Sequence, residues 1–158
     1  MKKYISILLV IVAILSVCAC YDLDRYPEDK INTNTFWKTQ QHAEQGINAI
    51  YAMFQNYYIF GSYFSLDCLG EVGTGYGEHG NENISRGTYN SLDNRILNRW
   101  TYLYEGVARA NLAIQNIPKI HATDSEIATL MGEAKFLRSL FYFYLTDFFG
   151  GVPIYDEK

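Results

Sequence analysis

Cysteine is scarce in this 158-residue chain: there are three, and Cys18 and Cys20 stand together at the end of one apolar run, leaving Cys68 by itself. If Cys18 leaves with a leader and the sulfur of Cys20 is modified, Cys68 has no partner, so a disulfide framework is not expected as the source of stability. Proline is equally rare. Pro27, Pro118 and Pro153 lie far apart, so no proline interrupts the long segments between them and extended helices are permitted there. Basic charge is in short supply too, with 13 Lys and Arg against 17 Asp and Glu and a formal net charge of −4. Loss of Lys2 and Lys3 with a leader leaves 11 basic residues against 17 acidic, a net −6. No basic stripe remains to neutralise phosphates, which argues against a nucleic-acid partner. A nucleotide cradle is also missing. Gly73-Thr74-Gly75-Tyr76-Gly77 has neither the Lys-Ser/Thr pair of a P-loop nor the spacing of a dinucleotide fingerprint.

Aromatic side chains, in contrast, are abundant. Fourteen Tyr, nine Phe and two Trp exceed what core packing needs, and tyrosine suits wet, amphipathic contact surfaces. Hydrophobic residues make up 49% of the chain and charged ones 19%, enough apolar material to build a core in a single domain.

Residues 1–19 read as an address. Lys2 and Lys3 precede an apolar run from Ile5 to Cys18, and Asp22, Asp24 and Arg25 follow it at once, so the run is a secretory leader and too short to span a bilayer. Its end, Val17-Cys18-Ala19-Cys20, resembles a lipoprotein signal in which Cys20 becomes the lipidated N-terminus; modification at Cys18 would instead put Val17 at the cleavage position. Asp22 and Asp24 resemble a surface-export signal. Residues 20–38 then form a tether with Pro27 and several Asp, Asn and Thr, closed by the apolar plug Phe36-Trp37.

Three main helices are expected in residues 39–158. The first starts near Thr39, with Ala43, Ile47, Ile50, Tyr51, Phe54 and Tyr58 on one stripe. The second runs from an N-cap at Ser91 to the stop at Pro118, with Ile96, Trp100, Leu103, Tyr104, Val107, Asn111 and Ile114 facing inward. Asn111 must find partners for its amide, which makes it a bracket to neighbouring backbone. The third opens on the capping box Thr123-Asp124-Ser125-Glu126 and stops at Gly150-Gly151. Between Leu140 and Phe149 it is apolar on nearly every face, more than two neighbouring helices can cover, so the sequence reads as a fragment of a longer chain. Gly132 and Ala134 are expected at a close helix approach, and Arg138 is expected to need a carboxylate such as Glu105 or Asp147.

Seven glycines between residues 61 and 91 break any period, so this stretch reads as a long irregular insert with at most a short hairpin. Its aromatic and polar residues carry the functional expectation. Sugars lay apolar C–H faces on aromatic rings and present hydroxyl rims to planar polar groups, so Tyr76, Arg86, Tyr89 and Asn90 are the candidate ligand-binding residues. A hydrolase could draw on Asp67, Glu71, Glu78, Glu82 and Asp93, but these sit in or beside a glycine-rich loop without a rigid scaffold. A metal could use Glu78, His79 and Glu82, yet neither helical His spacing nor a Cys cluster supports it. No catalytic residue, metal site or cofactor is therefore assigned, and the protein is expected not to be an enzyme.

Four stretches together resemble the N-terminal signatures of the SusD/RagB family, in the family's order. They are Phe36-Trp37 with Ala43 to Tyr51; Trp100 with Tyr104-Glu105-Gly106-Val107-Ala108-Arg109-Ala110-Asn111; Gly132-Glu133-Ala134-Lys135-Phe136-Leu137-Arg138; and Phe149-Gly150-Gly151-Val152-Pro153. Lys135 departs from the Arg more usual there, and family members are roughly three times longer. The resemblance implies an all-α fold of tetratricopeptide-like helix pairs. It further implies a lipid-anchored, surface-exposed outer-membrane protein that presents glycans or other nutrients to a SusC-like TonB-dependent transporter. A scaffold lipoprotein that holds a partner protein and no small molecule is the alternative reading.

Overall fold

The computed structural model describes residues 36–61, 66–68, 70, 73 and 81–156, without the side chains of residues 81 and 82. The leader, the lipidation candidate Cys20 and the ligand candidate Tyr76 lie outside the described residues. Within them the structure is all-α: α1 (Gln40–Tyr51), the short α2 (Asn81–Ser85), α3 (Asn94–Asn116) and α4 (Asp124–Phe149). The extended pairing found among the described residues is one isolated parallel bridge, Thr39 to His121.

Local chemistry sets each boundary. The Thr39 hydroxyl accepts the His42 N–H and caps α1. That helix ends earlier than its stripe suggested, at Tyr51, and continues as a 3-10 turn (Ala52–Gln55) and a π turn (Tyr57–Gly61). Asn56 causes the break. Its backbone is extended, its Oδ1 accepts the Tyr58 N–H at 2.9 Å, and its carbonyl accepts the N–H groups of Ile59 and Gly61. Gly61 is required there because a Cβ would run into the Gln55 carbonyl.

Helix α3 begins two residues later than expected. Asn90 folds Ser91-Leu92 into a turn by accepting the Leu92 N–H on Oδ1 and the Asp93 N–H on its carbonyl, and Asp93 then caps the helix through the Arg95 N–H. Pro118 sits in a 3-10 turn (Ile117–Lys119) that ends the helix, and the capping box of Thr123 and Glu126 forms as expected. Gly150 closes α4 at φ +74° with its N–H on the Thr146 carbonyl.

The seven-residue link between α3 and α4 makes them antiparallel neighbours, as the pairs Trp100–Phe149, Gly106–Phe141 and Asn111–Arg138 record. Helix α1 packs across both. The shared core holds Ile47 and Ile50 from α1, Leu103 and Val107 from α3, and Leu137, Phe141 and Leu145 from α4. Phe141 is fully buried, stacked on Phe54 with ring centroids 4.6 Å apart. The close approach falls at glycines other than the expected one. A Cβ on Gly106 would enter the Phe141 ring and one on Gly46 the Trp37 ring, whereas Gly132 faces open space; Ala134 is buried as expected.

Candidate functional site

Residues that staple the helices must first be separated from those free to meet a ligand. Tyr104 donates its hydroxyl hydrogen to the Pro153 carbonyl at 2.7 Å, and the Tyr142 hydroxyl donates to the Tyr155 carbonyl at 2.9 Å while accepting the Tyr155 N–H. Asn111 Nδ2 donates to the carbonyls of Tyr155 and Asp156, and its Oδ1 accepts from Arg138 Nη1 at 2.9 Å. The amide is thus the bracket anticipated, and it is one of Arg138's partners, while Glu105 pairs with Arg109 at 2.7 Å. This network folds the chain back over α3 and α4 after the Gly-Gly turn. Burial first, then the neighbouring Tyr142 and Tyr155 hydroxyls, push the Tyr104 pKa up, keeping it a neutral donor. Arg109 also donates to the Ala49 carbonyl, and Tyr51 donates to Glu133 at 2.8 Å, both tying α1 to its partners.

Where α3 starts and α4 ends, a cavity of about 140 Å³ opens between these helices, α2 and the π turn. Tyr58, Tyr89, Phe148 and Phe149 supply aromatic walls, and Ile84 and Ile96 supply aliphatic ones. Its charge comes from Arg95 and Arg99, one helical turn apart on α3. Arg95 Nη2 donates to the Tyr57 hydroxyl at 2.7 Å, with the guanidinium 4.9 Å from that ring's centre. Arg99 is buried; its Nε donates to the Tyr58 carbonyl at 3.0 Å and its guanidinium lies 4.3 Å over the Phe148 ring. Burial, and then the nearby positive charge of Arg95, lower the Arg99 pKa to about 10, so it stays charged at neutral pH.

Of the sequence-chosen residues, Tyr89 lines this cavity with half of its surface exposed. Arg86 and Asn90 are exposed on the same segment, and the Asn90 amide oxygen is engaged in the turn before α3. In place of a hairpin, the described part of the insert holds α2 and the left-handed turn at Gly87. The sequence reasoning missed Tyr58, Arg95, Arg99, Phe148 and Phe149. Two arginines four apart beside an apolar stripe were the available signal, because a cation placed there must be clothed by aromatic rings or carbonyls. Among the described residues no group of three His, Cys, Asp or Glu side chains could hold a metal ion, and no helix is long and apolar enough to cross a membrane.

Interlocked antiparallel helices with a small aromatic recess at one end define a helical scaffold that presents a binding surface. The family model described as "Starch-binding associating with outer membrane" matches residues 19–158, and the chain belongs to this SusD-like family. Two SusD-like proteins of Formosa agariphila are 27% and 29% identical to it, each over 99% of this chain and 32% of its own length. The chain thus spans about a third of the curated relatives it matches. A crystal structure of a SusD homolog from Bacteroides thetaiotaomicron superimposes with a TM-score of 0.59 at 25% identity, over 72% of this chain and 23% of that one. The fold is accordingly all-α, with tetratricopeptide-like helix pairing.

Proposed function

We propose that this chain is the N-terminal part of a lipid-anchored, surface-exposed outer-membrane protein that binds glycans and hands them to a SusC-like TonB-dependent transporter. The cavity faced by Tyr58, Tyr89 and Phe149, on a member of a starch-binding family, is the observation that carries the reading. Its size suits one sugar ring, since drug-sized ligands fill about 300–1,000 Å³. Helices capped at their N-termini and stapled through Tyr104, Asn111 and Tyr142 hold Phe148 and Phe149 in place, so a ring can stack without ordering them first. The role is capture, with no catalytic group assigned. Cys20 is the proposed lipid attachment point, and Tyr76, Arg86, Tyr89 and Asn90 remain the insert's proposed contribution to binding, joined now by Tyr58.

Calorimetric titration of the full-length protein with malto-oligosaccharides tests this. Replacing Tyr76 and Tyr89 together by Ala should weaken binding several-fold to about tenfold per stacked ring and leave the melting transition nearly unchanged. Trp100→Ala should lower the melting temperature, because Trp100 packs on Tyr104 and Phe149 inside the helix pair. Unchanged affinity in the double Tyr variant would place the ligand elsewhere on the longer protein. The scaffold reading draws support from Phe136 and Phe143, which point outward on α4 with 61% and 59% of their surfaces exposed. A protein that binds its transporter but no saccharide would favour it.

A further inference from the structure

Among the described residues, those lining the cavity include two arginines and no carboxylate. A neutral glucan can accept hydrogen bonds from a guanidinium through its hydroxyls, but it brings no counter-charge to two of them placed one helical turn apart. From the cavity's composition and the position of Arg95 we propose that the recess takes an anionic sugar unit, a pyranose bearing a carboxylate or a sulfate ester. This inference rests on the glycan-binding reading and narrows its substrate class.

Three observations support it. Arg95 Nη1 is buried and makes no hydrogen bond among the described residues, although its Nη2 holds the Tyr57 hydroxyl. A buried cationic donor left unmatched costs free energy, which an arriving anion recovers through a charge-assisted bond. Next, Arg95 and Arg99 stand close enough for the charge of one to depress the pKa of the other. An anion between them relieves that repulsion. Last, Arg99 is buried against the Phe148 ring, and its charge acts on a bound anion through a less polar medium than water. Tyr89, at the edge, offers a ring for the sugar's apolar face while the acid group points inward toward α3. Arg99 is already tied to Tyr58 and Phe148, so it supplies fixed positive potential, and Arg95 is the direct donor.

Titration of the full-length protein with trigalacturonate, a 6-O-sulfated galactose trisaccharide and maltotriose, at low and high salt, is the test. The wild type should prefer at least one acidic trisaccharide to maltotriose by about tenfold or more, with a preference that shrinks as salt rises. Whichever acidic ligand binds identifies the group recognised. Arg95→Gln should reduce the ratio of acidic to neutral affinity by about tenfold, and Arg95→Lys should restore part of it as a point charge without the planar fork. A thermal melt of each variant separates loss of preference from loss of fold. Equal affinity for acidic and neutral ligands, or an unaltered ratio in a folded Arg95→Gln variant, overturns the anionic inference and leaves the glycan reading standing. Failure of all three sugars to bind a folded wild type overturns both.

Discussion

Gly106 and Phe141 show how much one position can decide. The absent Cβ of Gly106 is the space that the fully buried Phe141 ring occupies, so Gly106→Ala forces a strained rearrangement costing about 1–3 kcal/mol. Phe141→Ala leaves a void beneath Phe54 and should cost about 3–5 kcal/mol. Denaturant midpoints of the full-length variants measure both. Phe148, in contrast, is only half-buried and carries Arg99 on its face, so its loss should damage the cavity more than the fold. The residues behind the family resemblance acquire physical roles at this scale. Tyr104, Asn111 and Arg138 hold the returning chain, while Glu105 and Arg109 with Ala49, and Glu133 with Tyr51, tie the helices together.

For the elements, end chemistry explains both the successes and the misses of sequence reading. The capping box of α4 was legible because its two residues satisfy each other's orphan amides without tertiary help. Thr123→Ala should cost about 1 kcal/mol. Hydrogen bonds from the Thr123 side chain and backbone hold the Glu126 carboxyl below its ordinary pKa. A carboxylate depressed in the folded state contributes fully above its unfolded pKa and loses that contribution as pH falls through the lower folded value. Acid melts of wild type should therefore show a loss across that window, and the loss should be smaller in Thr123→Ala. The end of α1 was not legible, since the stripe from Ala43 to Tyr58 keeps helical spacing through a break that Asn56 imposes with local hydrogen bonds. The start of α3 was misplaced for a similar reason: Ser91 and Asp93 are both good caps, and the Asn90 turn selects the second. Tyr89 could be chosen from sequence because it stands in a glycine- and asparagine-rich stretch. Tyr58, Phe148 and Phe149 could not, because they come from segments far apart in the chain and each reads as ordinary core.

In the whole molecule, α1, α3 and α4 enclose one core but leave Phe136, Phe143 and Ile154 outward, the last at 82% exposure. Such surface is tolerated when further protein or a partner covers it. Residues 20–158 expressed alone should aggregate or bind a hydrophobic dye, while the full-length protein should not; a sharp, cooperative melt of a monomeric 20–158 fragment would contradict this. Anchoring is a separate expectation. Cys20→Ala should abolish palmitate incorporation and release the protein from the membrane fraction, and labelling that persisted in the variant would remove Cys20 from that role. The central claim, that the recess at the junction of the insert, α3 and α4 is where a sugar docks, is tested most directly by a crystal structure of the full-length protein with a bound oligosaccharide. One pyranose should lie against Tyr89 within reach of Arg95. A saccharide bound with no contact to Tyr58, Tyr89 or Arg95 would contradict it.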